Sequence, residues 1–116
     1  MVEIHAKGLI VDDGPLSRPV PVALRCDPSD SEGDGSATVR LVFPEGTTWT
    51  FPRAVLERGL RAPARHGDIG VWPCGRVQTV VELHTSGDVA MVQFDSSALL
   101  RFLRRTYAVT ASHVTR

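Results

Sequence analysis

Three arginines near the C-terminus, Arg101, Arg104 and Arg105, recur at i, i+3 and i+4, the spacing that gathers side chains on one side of a helix. Guanidinium groups placed together can grip the carboxylates of an acidic protein segment or the phosphates of a nucleic acid, or they can stand in water as a solvated face. A second set, Arg53, Arg58, Arg61 and Arg65, surrounds a shorter apolar stretch. Trp72-Pro73 offers different chemistry. Pro73 gives no amide hydrogen to a strand ladder and belongs at an edge or a strand end, where Trp72 either anchors a partner or packs on a helix of its own chain. Catalytic arrangements are weaker. His5, His66, His84 and His113 are scattered without metal-ligand spacing, and neither a Gly-x-Ser-x-Gly elbow nor a phosphate loop occurs. The expectation is a protein that is not an enzyme, with no cofactor, no metal and no small-molecule substrate. Cys26 and Cys74 stand far apart with no second pair, which points to reduced thiols rather than a disulfide framework.

The chain carries 13 basic and 13 acidic residues, a formal charge of zero, and this balance argues against nucleic acid as the main partner. An aromatic content of 6% leaves few platforms for stacking bases. The charge is unevenly spread. Up to Pro52 there are four basic residues against eight acidic ones, and from Arg53 onward nine against five. Halves of opposite sign permit contacts between copies of the chain, although a mixed solvated surface has the same composition. At 116 residues one domain is expected, spanning 1–107, with a polar tail over 108–116. No apolar run is long enough to cross a bilayer, and the alternating start, Met1 to Lys7, does not resemble a secretory signal. A cytoplasmic protein is therefore expected.

The elements that must position these residues follow from periodicity. Ile4, Ala6, Gly8 and Ile10 alternate with polar residues as in a half-buried strand. Asp12-Asp13-Gly14-Pro15 interrupts the pattern, and Val22, Leu24 and Cys26 resume it. Residues 27–35, acidic and free of apolar side chains, read as a mobile loop. Val39, Leu41 and Phe43 mark a third strand, and Pro44-Glu45-Gly46 turns it into a fourth, Thr47 to Phe51. The period then changes. Pro52 suits the first turn of a helix, Val55, Leu56 and Leu60 supply its apolar side, and Gly59 can end it in the left-handed conformation near residue 58. Strands follow over Ile69 to Pro73, Arg76 to His84 and Val89 to Phe94, with Gly67-Asp68 making a turn rather than a ligand site and Ser86-Gly87-Asp88 turning the last pair. Asp95 or Ser96 can cap a second helix in which Leu99, Leu100, Phe102 and Leu103 oppose the three arginines, with the tail past Tyr107 fraying. The order is ββββα-βββα, an α+β domain of two antiparallel sheets with two helices packed against them.

The middle of the chain resembles a known family. Phe51-Pro52-Arg53-Ala54-Val55-Leu56-Glu57-Arg58-Gly59-Leu60, then Pro63, then Gly67-Asp68-Ile69-Gly70-Val71-Trp72-Pro73 is similar to the SsgA-like sporulation and cell-division proteins of actinomycetes. Pro21-Val22-Ala23-Leu24-Arg25, the following Asp27 and the terminal Phe102-Leu103-Arg104-Arg105-Thr106 agree with it, so the likeness extends over residues 20–106. Cys26, where the family has an aromatic residue, and the Gly-rich acidic segment after it depart from the pattern. On this resemblance Gly59, Leu60, Pro63, Gly67, Asp68 and Val71 are structural; Arg101, Arg104, Arg105, Trp72 and Pro73, singled out above by type and spacing, are the candidates for binding protein. The resemblance also implies a Whirly-like fold, a homo-oligomer (a trimer) and a place in the cytoplasm at division septa. There the protein would guide the tubulin-like FtsZ, directly or through a sister protein. Because Whirly-like folds elsewhere bind single-stranded nucleic acid, that activity is the alternative.

Overall fold

The computed structural model describes residues 1–11, 18–32 and 36–114. The interruption read at Asp12-Asp13-Gly14-Pro15 and the tip of the acidic segment, residues 33–35, lie outside them. The elements run β1 (Val2–Val11), β2 (Arg18–Glu32), β3 (Ser36–Val42), β4 (Thr48–Pro52), α1 (Arg53–Gly59), β5 (Ala64–His66), β6 (Ile69–Cys74), β7 (Gln78–Thr85), β8 (Asp88–Asp95) and α2 (Ser96–Val114). The α+β class and the antiparallel strands agree with the expectation. The division into two sheets does not. All eight strands form one sheet in the order β4-β3-β2-β1-β8-β7-β6-β5.

Two antiparallel meanders, β1 to β4 and β5 to β8, are built from local hairpins. They are fused by three residue pairs between the end of β1 and the middle of β8: Leu9 with Gln93, Ile10 with Val92 and Val11 with Met91. Gly8 sits just before this seam, where a β-carbon would stand 2.7 Å from Val92 Cγ1. Helix α1 touches β3 and β4 at one end of the sheet and β5 and β6 at the other, and α2 lies against β1, β2 and β8. The sheet therefore curls around both helices and one continuous core, with Leu24, Leu41, Phe51, Leu56, Phe94 and Phe102 among its fully buried large side chains.

Other boundaries differ for physical reasons. Strand β2 continues through Glu32 with a register shift between Asp27 and Ser31, so residues 27–32 of the segment expected to be a loop belong to a strand, with Asp27, Ser31 and Glu32 paired to β3. A strand edge needs no apolar side chain to make its ladder. Gly59 is the last residue of α1 and has no positive φ. Helix α2 continues to Val114, seven residues past Tyr107. The extra strand β5 pairs Ala64, Arg65 and His66 with Val71, Gly70 and Ile69 around the Gly67-Asp68 turn, where Gly67 has φ 57°.

Candidate protein-binding groove

Three stretches meet at one end of the molecule: the second half of α1, the middle of α2 and the turn between β6 and β7. Proline explains part of the opening. Strand β5 pairs only with residues 69–71 of β6, so Trp72, Pro73 and Cys74 have a strand on one side alone, β7. Pro73 thus sits where a missing amide hydrogen costs no ladder bond, as expected of it. The β6–β7 turn then passes through Gly75, whose φ is 70°. Ser96 N–H donates to the Val77 carbonyl over 2.8 Å, tying this turn to the start of α2.

Between these parts lies an open groove of about 710 Å³. Its apolar wall includes Leu60, Pro73, Leu100, Leu103 and Ala108, and its edges carry Arg61, Arg76 and Arg104. Leu103 belongs to the core as well, being 4% exposed, whereas Leu100 is 40% exposed. The buried side of α2 is Leu99, Phe102, Leu103 and Thr106; Leu100, read from the sequence as part of it, faces the groove instead. Helix geometry accounts for this, because Leu100 lies about 100° around the helix from Leu99, beyond Leu103 at the edge of the buried stripe.

The two helices are joined by a polar contact that the sequence reading did not find. The buried Arg53 guanidinium lies over the Tyr107 ring, 3.8 Å from its centroid, and Nη1 donates to Thr106 Oγ1 over 3.4 Å. Tyr107 Oη donates to Glu57 Oε1 over 2.6 Å. Burial and this bond to Glu57 raise the Tyr107 hydroxyl above its ordinary pKa, against the lowering effect of Arg53. At the far end of the groove, Gln78 Nε2 donates to Asp95 Oδ1 over 2.8 Å and the hydroxyls of Thr79 and Ser96 meet at 2.7 Å. Asp95 and Ser96, read as helix caps, thus use their side chains to fasten β8 and α2 to β7. No local periodicity announces these pairs, since the hydrogen-bonded partners are 17 to 53 residues apart.

A second charged cluster lies across β5, β6 and β7. Arg65 Nη2 donates to Glu82 Oε1 over 2.9 Å, and His84 Nε2 lies 3.1 Å from the same oxygen. The nearby His84 holds the Glu82 carboxyl below the usual range, Arg65 adds to this, and partial burial opposes it.

The sequence candidates divide accordingly. Arg104 and Pro73 line the groove; Arg101 and Arg105 are exposed on α2 outside it, and Trp72 is half-buried and not part of its lining. Gly59 and Val71 are buried against each other, and Leu60 packs against the core. Pro63 and Asp68 are exposed, and the Asp68 carbonyl accepts the His84 N–H at 2.8 Å. Arg61, Arg76 and Leu100 had no sequence signal that would gather them into one site. No helix is long and apolar enough to cross a membrane, and no group of three or more potential metal ligands occurs among the described residues.

Residues 20–113 match the family described as Streptomyces sporulation and cell division protein, SsgA. A sporulation-specific cell division protein SsgB from Salinispora tropica is 33% identical over 95% of this chain and 80% of its own length. One from Frankia casuarinae is 38% identical over 81% of this chain and 68% of its own. A solved structure, described with mutations in SsgB that correlate to longitudinal cell division during sporulation of Streptomyces coelicolor, superposes with a TM-score of 0.81. It is 30% identical, over 93% of this chain and 85% of that one. The SsgA-like sporulation-specific cell division protein from Thermobifida fusca superposes with a TM-score of 0.72 at 25% identity, over 93% and 80%.

Proposed function

The chain belongs to the SsgA family of sporulation and cell-division proteins, and on that premise we propose that it is a non-catalytic regulator of septation that works by binding other proteins. Its task is to help place the tubulin-like FtsZ at septum sites, directly or through another family member, in the cytoplasm and as a homo-oligomer. The observation that carries this role is the groove between the two helices. An apolar wall edged with arginines suits a protein segment better than a reaction, which needs groups positioned around a reacting atom and shielded from water. The arginines of α2 extend the same basic surface beyond the groove.

The test is placement in the cell. A fluorescent fusion of the chain in sporulating actinomycete hyphae should concentrate at nascent septa, and a tagged copy should retain FtsZ or an SsgA-like protein after cross-linking. Diffuse fluorescence with neither protein retained would refute the role. Tight binding of single-stranded nucleic acid, with affinity falling steeply as salt rises, would replace it with the alternative activity.

A further inference from the structure

We propose that the groove between α1, α2 and the β6–β7 turn seats an acidic protein segment that inserts an apolar side chain between carboxylates. This deepens the protein-binding role above and rests on it. A volume of about 710 Å³ is that of a site for a few side chains. Its wall presents Leu60, Pro73, Leu100 and Leu103, and on the adjoining turn Val77 is 67% exposed. A single exposed Leu means little, but one in a concave wall beside other apolar groups can be covered from outside.

The charges say what kind of segment would cover it. Arg61, Arg76 and Arg104 border the groove, and none of the three takes part in an ion pair or side-chain hydrogen bond among the described residues. Glu57 is the one carboxylate among the groove's lining residues. Glu57 receives the Tyr107 hydroxyl, Gln78 holds Asp95, and Ser96 meets Thr79. With Arg61, Arg76 and Arg104 set against Glu57 alone the rim is positive, and carboxylates from outside complement it. A nucleic acid fits less well. The lining holds a single aromatic ring, Tyr107, and Arg53 covers one of its faces, so at most one base could stack there.

The experiment uses the full chain labelled with nitrogen-15 and three synthetic peptides: one of Asp and Glu around a Leu-Phe pair, one with that pair replaced by Ser-Ser, and one with the acids replaced by Lys. The first peptide should shift the amides of Leu60, Gly75, Leu100 and Ala108, and the other two should bind about tenfold more weakly or worse. Leu100→Ser and Arg104→Glu should each weaken the first peptide by about tenfold, and Arg105→Glu, outside the groove, should not. Equal binding of the Ser-Ser peptide, shifts confined to another surface, or indifference to Leu100→Ser would overturn the proposal. So would oligothymidylate shifting the same amides at lower concentration, or self-association that Leu100→Ser abolishes. Unchanged melting of each variant separates loss of binding from loss of fold. In hyphae the two levels part: septal placement of both wild type and Leu100→Ser sinks the groove and leaves the regulator, whereas failure of the wild type itself sinks the regulator and leaves the peptide shifts to judge the groove.

Discussion

A β-carbon added to Gly59 would stand 2.2 Å from Val71 Cγ1 and 3.0 Å from the Val71 carbonyl oxygen, so α1 lies directly on β6 at the one residue without a side chain. Alanine is the better helix former by about 0.5–1 kcal/mol, but the overlap lies far inside van der Waals contact and Val71 is fully buried. Gly59→Ala should therefore destabilise the protein by about 1–3 kcal/mol, read from urea midpoints. Val71→Ala in the same chain should recover part of that loss, a coupling that a pure propensity effect lacks.

The Arg65–Glu82 pair passes over another bare backbone. Gly70 is registered between the two, and its β-carbon would approach both ends of the pair at 3.2–3.3 Å. Because the folded-state pKa of Glu82 is lowered from 4.5, its stabilising effect is full above that value and disappears as the pH falls through the folded pKa. The melting temperature of wild type should exceed that of Glu82→Gln at neutral pH, and the difference should close on acidification below about pH 4.5. Arg65 is half exposed, so the gap at neutral pH should be modest. A gap that widens in acid would contradict the assignment.

Tyr107 joins α2 to α1 in two separable ways. Tyr107→Phe keeps the ring under Arg53 and loses only the bond to Glu57, for about 0.5–1.5 kcal/mol. Tyr107→Ala loses the ring as well and should cost about 0.5–1 kcal/mol more. Equal unfolding free energies for the two variants would show that the ring contact contributes nothing.

Buried and exposed positions on α2 should respond oppositely. Leu103→Ala should cost roughly 2–5 kcal/mol, whereas Arg101→Glu combined with Arg105→Glu should leave thermal stability nearly unchanged. Loss of folding in the double charge reversal would make those arginines structural.

Much of this molecule was legible locally. Alternation in Ile4, Ala6 and Gly8 and in Val39, Leu41 and Phe43 placed strands correctly, because one-sided burial imposes a period of two on any such chain. The Pro52 to Gly59 stretch marked α1, and the ordered motif through Val71-Trp72-Pro73 carried the family. What remained hidden depends on residues distant in sequence. The three pairs that fuse β1 to β8 turn two expected sheets into one, and they leave no mark on either strand beyond ordinary alternation. Gly59 looked like a helix terminator since a glycine's sequence context cannot distinguish a left-handed turn from a close approach; only the arrival of Val71 decides between them. The groove follows the same rule: Leu60, Pro73, Arg76, Leu100 and Arg104 come from three separate elements, and their meeting is set by how the curled sheet brings α1, α2 and the β6–β7 turn to one end. Local physics selects elements residue by residue, whereas a site made of distant residues exists only after the core has chosen how those elements pack.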